Sequence, residues 1–297
     1  MPAVATPPSL VGRLSSLVTS ALRCLWLWTR NVLLRSPVTG EPSGPTVSMT
    51  THGSRTKTAF LAVESIARGT LKPSRLILWT NDPACEERPP RALRRLRRRG
   101  LEICLAENWG PHTKYFPYVI STDPARFSTP LVTADDDILY PRTWLRRLDA
   151  AHRQAPGAIH CFRAHTISFE STSLLPYAQW LPCRATAPGH LTFATGVSGV
   201  IYPGAMQAEL RRRGDAFVDR CRENDDVWIN WVAYRARIPV SQVSDSPQHF
   251  PAIPLSQRDS LMHASLAGGR TDRLLLTTYG QEDLADLAGR DRRTSSS

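Results

Sequence analysis

The sequence predicts an α/β fold with a mainly parallel central sheet flanked by helices. Short apolar runs alternate with helix-patterned runs between Val47 and Leu105, and a further apolar run, Leu131 to Ala134, leads into three consecutive aspartates. The chain has 297 residues, 41 % of them hydrophobic, which suffices for one large core.

Val47 to Thr51 reads as a short strand closed by the turn His52-Gly53-Ser54. Arg55 to Arg68 then carries Ala59, Phe60, Val63, Ile66 and Ala67 on one helical face and stops at Gly69. Leu76-Ile77-Leu78-Trp79 is a second strand, ended by Asn81-Asp82-Pro83. Arg91 to Arg99 is a basic helix closed by Gly100, and Glu102 to Leu105 is a third strand. Strand and helix alternating in this way imply parallel strands joined by right-handed crossovers, a nucleotide-binding half of Rossmann type. No GxGxxG loop is present, which argues against a dinucleotide dehydrogenase.

Around this core the sequence divides into residues 1–45, an amphipathic extension and linker; 46–282, the folded domain; and 283–297, a polar tail expected to fray. Leu17 to Leu34 is strongly apolar, yet Arg23 and Arg30 interrupt it, so a simple spanning helix does not fit. Two readings stand: a helix lying on an anionic membrane surface, or a helix packed on the domain. Ser36 to Pro45, with three prolines and two glycines, reads as a linker.

The formal charge is +11, carried almost wholly by arginine, since Lys57, Lys72 and Lys114 are the only lysines. A solvated face explains the densest basic segment, Arg91 to Arg99; contact with membrane or phosphate is the sharper alternative. That segment has no interleaved aromatics, so no nucleic-acid partner is expected. The 6 cysteines form no CxxC pair or zinc-spaced cluster. Scattered thiols point to a reducing compartment, and the expected location is cytoplasmic, peripheral on the inner face of the plasma membrane if the N-terminal helix binds lipid.

The most informative stretch is Leu131-Val132-Thr133-Ala134-Asp135-Asp136-Asp137. Three adjacent carboxylates repel one another, and aspartate is poor in strands. Such a cluster at a strand's carboxyl end persists most easily around a cation, and Mg²⁺ or Mn²⁺ suits oxygen ligands and bridges carboxylates to phosphates. Alternation along a strand puts Asp135 and Asp137 on one side and Asp136 on the other.

The triplet resembles the DxD motif of glycosyltransferases with the GT-A fold. Thr50 through Arg55, the helix to Gly69 and Lys72 to Leu78 resemble the opening of family 2 enzymes. Asn108 to Lys114 resembles the segment before the DxD strand in bacterial polysaccharide-type relatives. Asn224 to Asn230 resembles the late acidic motif of family 2 and of exostosin-like transferases. The resemblance implies a nucleotide-diphosphate sugar donor, a glycan or lipid-linked hydroxyl acceptor, and Mn²⁺ or Mg²⁺ on Asp135 and Asp137. It places Thr50, Arg55, Lys114, Asp135 and Asp136 around the donor, with Gly196, Gly199 and Arg163 lining the sugar. Asp226 is implied as the base for the acceptor, with Asp225 beside it; helix capping by Asn224 explains these acidic residues equally simply. His249 and His263 are candidate third metal ligands. Gln257-Arg258 is not followed by the tryptophan of processive synthases.

Two rivals stay in view. A sugar nucleotidylyltransferase would open on a longer glycine-rich loop than His52-Gly53-Ser54. A membrane- or nucleic-acid-binding adaptor would explain the charge but not the acidic triplet.

Overall fold

Apolar runs with little polar alternation mark strands covered on both faces, and two such runs, Leu76–Trp79 and Leu131–Ala134, lie at the centre of this molecule. The computed structural model describes residues 10–40, 42–254 and 269–295. After helix α1 (Leu10–Leu33) the chain forms β1 (Thr46–Thr51), α2 (Ala59–Ala67), β2 (Arg75–Thr80), α3 (Pro83–Glu87), α4 (Arg91–Arg97) and β3 (Leu101–Leu105). Next come α5 (Phe116–Ser121), β4 (Leu131–Asp135), α6 (Trp144–Gln154) and β5 (Ile159–Cys161). Two short ribbons follow, β6 (Ala164–Thr166) with β9 (Thr192–Ala194), and β7 (Phe169–Glu170) with β8 (Ser173–Leu174). Then come β10 (Val200–Tyr202), α7 (Gly204–Arg213), α8 (Phe217–Cys221), α9 (Asp225–Arg235) and β11 (Val240–Gln242).

The central sheet has 7 strands in the order β11-β5-β10-β4-β1-β2-β3. All its pairings are parallel except those of β10, which runs against β4 and β5. Alternate side chains of one strand feed two cores: Leu76 and Leu78 pack with α2, α4 and α6, while Ile77 and Trp79 face α5, α7, α8 and α9. Helices therefore cover both faces of a mainly parallel sheet, as the strand–helix alternation predicts.

Three segments differ from the sequence reading. The helix expected from Arg55 begins as a 3₁₀ turn, Gly53–Lys57, and turns α-helical only at Ala59. Gly53, at φ +52°, starts that turn and aims Arg55 at the sheet edge. The expected linker lies along the domain: Val38 is buried and its amide donates to the Arg99 carbonyl at 2.9 Å. The expected polar tail is a helix, Gln281–Ser295. Its Asp283 carboxylate accepts from Trp231 Nε1 at 3.0 Å and Arg235 Nη1 at 2.9 Å, and Leu287 is fully buried. Polar anchoring of this kind leaves no hydrophobic pattern in the sequence.

Of the two readings of the N-terminal helix, packing on the domain describes one face of α1. Ser20, Leu27 and Asn31 are buried. Asn31 Nδ2 donates to Glu64 at 3.1 Å and to the Ala92 carbonyl at 3.2 Å, and its Oδ1 accepts from Arg95 at 2.8 Å. Glu64 is also paired with buried Arg99, so one polar network joins α1, α2 and the end of α4. Among the described residues no helix is long and apolar enough to cross a membrane. The six cysteines are free thiols.

Candidate active site

Parallel strands end together, and their carboxyl edge is where such sheets open a crevice. Here a cleft of about 440 Å³ lies at the ends of β1, β2 and β4, lined by Thr50, His52, Arg55, Asn81, Asn108, Thr113, Lys114, Asp135 and Asp136 among others. Thr50 of β1 stands in register with Asp135 of β4, and its hydroxyl donates to the Trp79 carbonyl at 3.4 Å.

Asp135 is the last residue of β4, and its amide donates to Tyr140 Oη at 2.7 Å. The Tyr140 amide in turn donates to Ser65 Oγ at 2.9 Å, so α2 fixes the turn after the strand. Because the strand stops there, the expected alternation within the triplet does not extend past Asp135. Asp136 and Asp137 instead share one guanidinium, at 3.2 Å and 3.6 Å from Arg55 Nη1. Asp135 turns to Lys114, 3.1 Å away. Burial raises the Asp136 carboxyl, with Arg55 opposing. Burial and the charges of Asp135 and Asp136 push Asp137 up to about 6, again against Arg55.

Lys114 joins the triplet to the late acidic motif. Its Nζ lies 3.1 Å from Asp135 and 3.3 Å from Asp225. Burial alone would lower the ammonium, but Asp135, Asp225 and Asp226 together hold it well above its usual value. Asn224 caps α9 by accepting from the Val227 amide at 3.0 Å, as its residue type predicts. Capping does not exhaust the motif, because the Asp226 side chain leaves the helix and accepts from the Gly196 amide at 2.7 Å. Burial and the neighbouring Asp225 raise the Asp226 carboxyl well above the carboxylate range, against Lys114 and the Gly196 amide. A Cβ on Gly196 would stand 3.1 Å from Asp226 Oδ1 and 3.4 Å from Lys114 Nζ, so the glycine permits this close approach.

The remaining sequence candidates separate. Arg163 lies beside the turn that carries Gly196, donating to Thr195 Oγ1 at 3.0 Å and to His165 Nε2 at 3.3 Å. Gly199 is turned elsewhere: at φ +97° it packs on Trp144, whose ring a Cβ would meet at 2.7 Å, so its missing side chain serves packing rather than a sugar. His249 is exposed and, among the described residues, belongs to no metal-donor cluster. His263 and Gln257-Arg258 lie outside the described residues.

Several site-shaping residues escape the sequence reading. Tyr140 holds the Asp135 amide. Asn230, read only as the end of the late acidic motif, bridges α9 to β9 by donating to the Ala194 carbonyl at 2.8 Å and accepting its amide at 3.0 Å. His112 is fully buried, stacked on Phe217 at 3.9 Å, and its Nε2 meets the Cys221 carbonyl at 2.9 Å. This anchors the turn Gly110–Lys114 that carries Lys114. The only signal for it is the position of His112 two residues before that lysine.

The donor set suits a hard cation: Asp135, Asp136 and Asp137 offer only oxygen, and buried Asp136 Oδ2 has no hydrogen-bond partner. Among the described residues no group of three or more His, Cys, Asp or Glu side chains is placed to hold a metal ion.

No protein-family model matches the chain, and no curated protein matches it. Among solved structures, residues 1–349 of S. aureus TarS align with a TM-score of 0.47 and 11 % identity over 84 % of this chain and 72 % of that one. The longer S. aureus TarS structure aligns with a TM-score of 0.47 and 11 % identity over 83 % of this chain and 42 % of that one. The Pyrobaculum calidifontis mannosyltransferase PcManGT, in complex with GDP-Man and Mn²⁺, aligns with a TM-score of 0.44 and 12 % identity over 95 % of this chain and 85 % of that one. At such scores and identities these likenesses say nothing about the reaction of this chain.

Proposed function

We propose that the chain is a metal-dependent glycosyltransferase of the GT-A type, moving a sugar from a nucleotide-diphosphate donor to a hydroxyl on a glycan or lipid-linked acceptor. The observation that carries the reading is the Lys114 bridge, which sets the triplet and the Asp225-Asp226 pair 3.1 Å and 3.3 Å either side of one ammonium. The cleft residues Lys114 and Asp135 are thereby linked to the late acidic motif, which would supply the acceptor base.

Arg55 orients Asp136 and Asp137 toward the donor phosphates, and Lys114 holds Asp135 where it can meet the ribose or the metal. Mg²⁺ or Mn²⁺ on Asp135 and Asp137 would neutralise the charge that grows on the departing diphosphate. Asp226 Oδ1 is held by the Gly196 amide, which orients the carboxylate and leaves Oδ2 for the acceptor hydroxyl. The hydroxyl oxygen bonds to the anomeric carbon, the bond to diphosphate breaks, and the proton passes to Asp226. Screening nucleotide sugars for nucleoside-diphosphate release with Mn²⁺ tests this. A turnover that disappears in Asp226→Asn supports the reading; no turnover with any donor and acceptor, or full turnover in that variant, sinks it.

A further inference from the structure

Opposite its buried face, α1 presents Val18, Leu22, Leu25 and Leu33 to solvent at 58 %, 62 %, 60 % and 68 % exposure. At helical spacing these side chains form one apolar stripe that none of the described residues covers. On one flank Trp26 is half exposed, with the guanidiniums of Arg30 and Arg68 at 5.0 Å and 5.5 Å from its ring. On the other flank Trp28 is 52 % exposed, and beyond it a hollow of about 330 Å³ opens between α1 and α4. Val32, Arg35, Arg91, Arg94, Arg95 and Arg98 line that hollow, with no acidic residue among them. Arg95 is held by Asn31, while Arg35, Arg91, Arg94 and Arg98 form no ion pair with any described carboxylate.

We infer that α1 and α4 form a docking face for an anionic phospholipid membrane, with the arginine hollow receiving lipid phosphate and the α1 stripe entering the headgroup–acyl boundary. Charge decides the occupant. A second copy of the chain would bring its own arginines against these, with no carboxylate in the hollow's lining to offset them. A lipid surface supplies both the phosphates and the apolar layer. Tryptophans flanking the stripe suit the interface, where an apolar ring and a polar N–H are both satisfied. None of these residues lines the cleft, so the inference stands apart from the transferase reading.

Sedimentation of the full chain with vesicles tests it, comparing phosphatidylcholine alone with phosphatidylcholine containing phosphatidylglycerol. The chain is expected to pellet with the anionic vesicles and to be released by high salt. Arg91→Ala/Arg94→Ala/Arg98→Ala should lower partitioning roughly a hundredfold, taking each arginine at its usual surface worth. Leu22→Ser/Leu25→Ser should weaken it further in low salt, and both variants should keep the parent melting temperature because every changed side chain is exposed. Equal binding to neutral vesicles, unchanged binding by the triple arginine variant, preference for duplex DNA over vesicles, or a dimer that dissociates in Leu22→Ser/Leu25→Ser without lipid binding would each overturn it.

Discussion

The ammonium of Lys114 lies 3.1 Å from the carboxylate of Asp135, although 21 residues separate them in sequence. The same ammonium reaches Asp225 at 3.3 Å, so its loss leaves carboxylates from two motifs with no cation between them. Lys114→Met should lower kcat/KM by roughly 10²–10³-fold, the usual scale for one lost electrostatic contact in a site. Lys114 also holds the Asp226 carboxyl down, so the acid limb of the pH profile should move to higher pH in the variant. A pH series of initial rates reads both effects.

Asp226 itself ties catalysis to pH and stability. Its carboxyl is raised by burial and by Asp225, so activity should fall as pH drops through a value well above the ~4 of a free aspartate. The sign for stability is opposite: a carboxyl raised in the folded state favours folding at low pH, and that contribution is lost as pH rises through the folded value. Asp226→Asn removes the buried charge while its amide oxygen can still accept from Gly196. It should abolish transfer yet raise stability by about 1 kcal/mol at neutral pH. Thermal melts beside rate assays check the pair of outcomes.

Gly196→Ala places a methyl 3.1 Å from Asp226 Oδ1, so the carboxylate must shift. Misplacing a reacting group costs rate more than binding, and kcat should fall roughly tenfold with donor affinity little changed. Steady-state kinetics with donor titration separates the two.

Glu64 is fully buried, paired with Arg99 and bonded to Asn31. Glu64→Ala leaves the Arg99 charge uncompensated in the interior and should cost about 3–5 kcal/mol. Denaturant melts give the cost, and hydrogen exchange over 20–33 should show α1 loosened first.

What the sequence reveals and hides follows from physics at particular residues. The runs Leu76 to Trp79 and Leu131 to Ala134 are legible because strands covered on both faces need unbroken apolar residues. The triplet is legible because three carboxylates at a strand end demand an explanation. The docked face of α1 is not, because Asn31, Glu64 and Arg99 are polar residues that look solvated until they meet. Asp283 hides the C-terminal helix in the same way. Gly199 misleads because a glycine packed under Trp144 reads the same as one beside a substrate. Tyr140 is missed because holding the Asp135 amide requires a turn that strand alternation does not foresee.

Calorimetric titration of UDP and GDP into the chain, with and without Mn²⁺, tests the central claim most directly. The proposed site predicts binding of at least one nucleoside diphosphate that strengthens on adding Mn²⁺ and loses that gain in Asp137→Ala. Binding of equal strength in Mn²⁺ and in chelator, unchanged by Asp137→Ala, would contradict it.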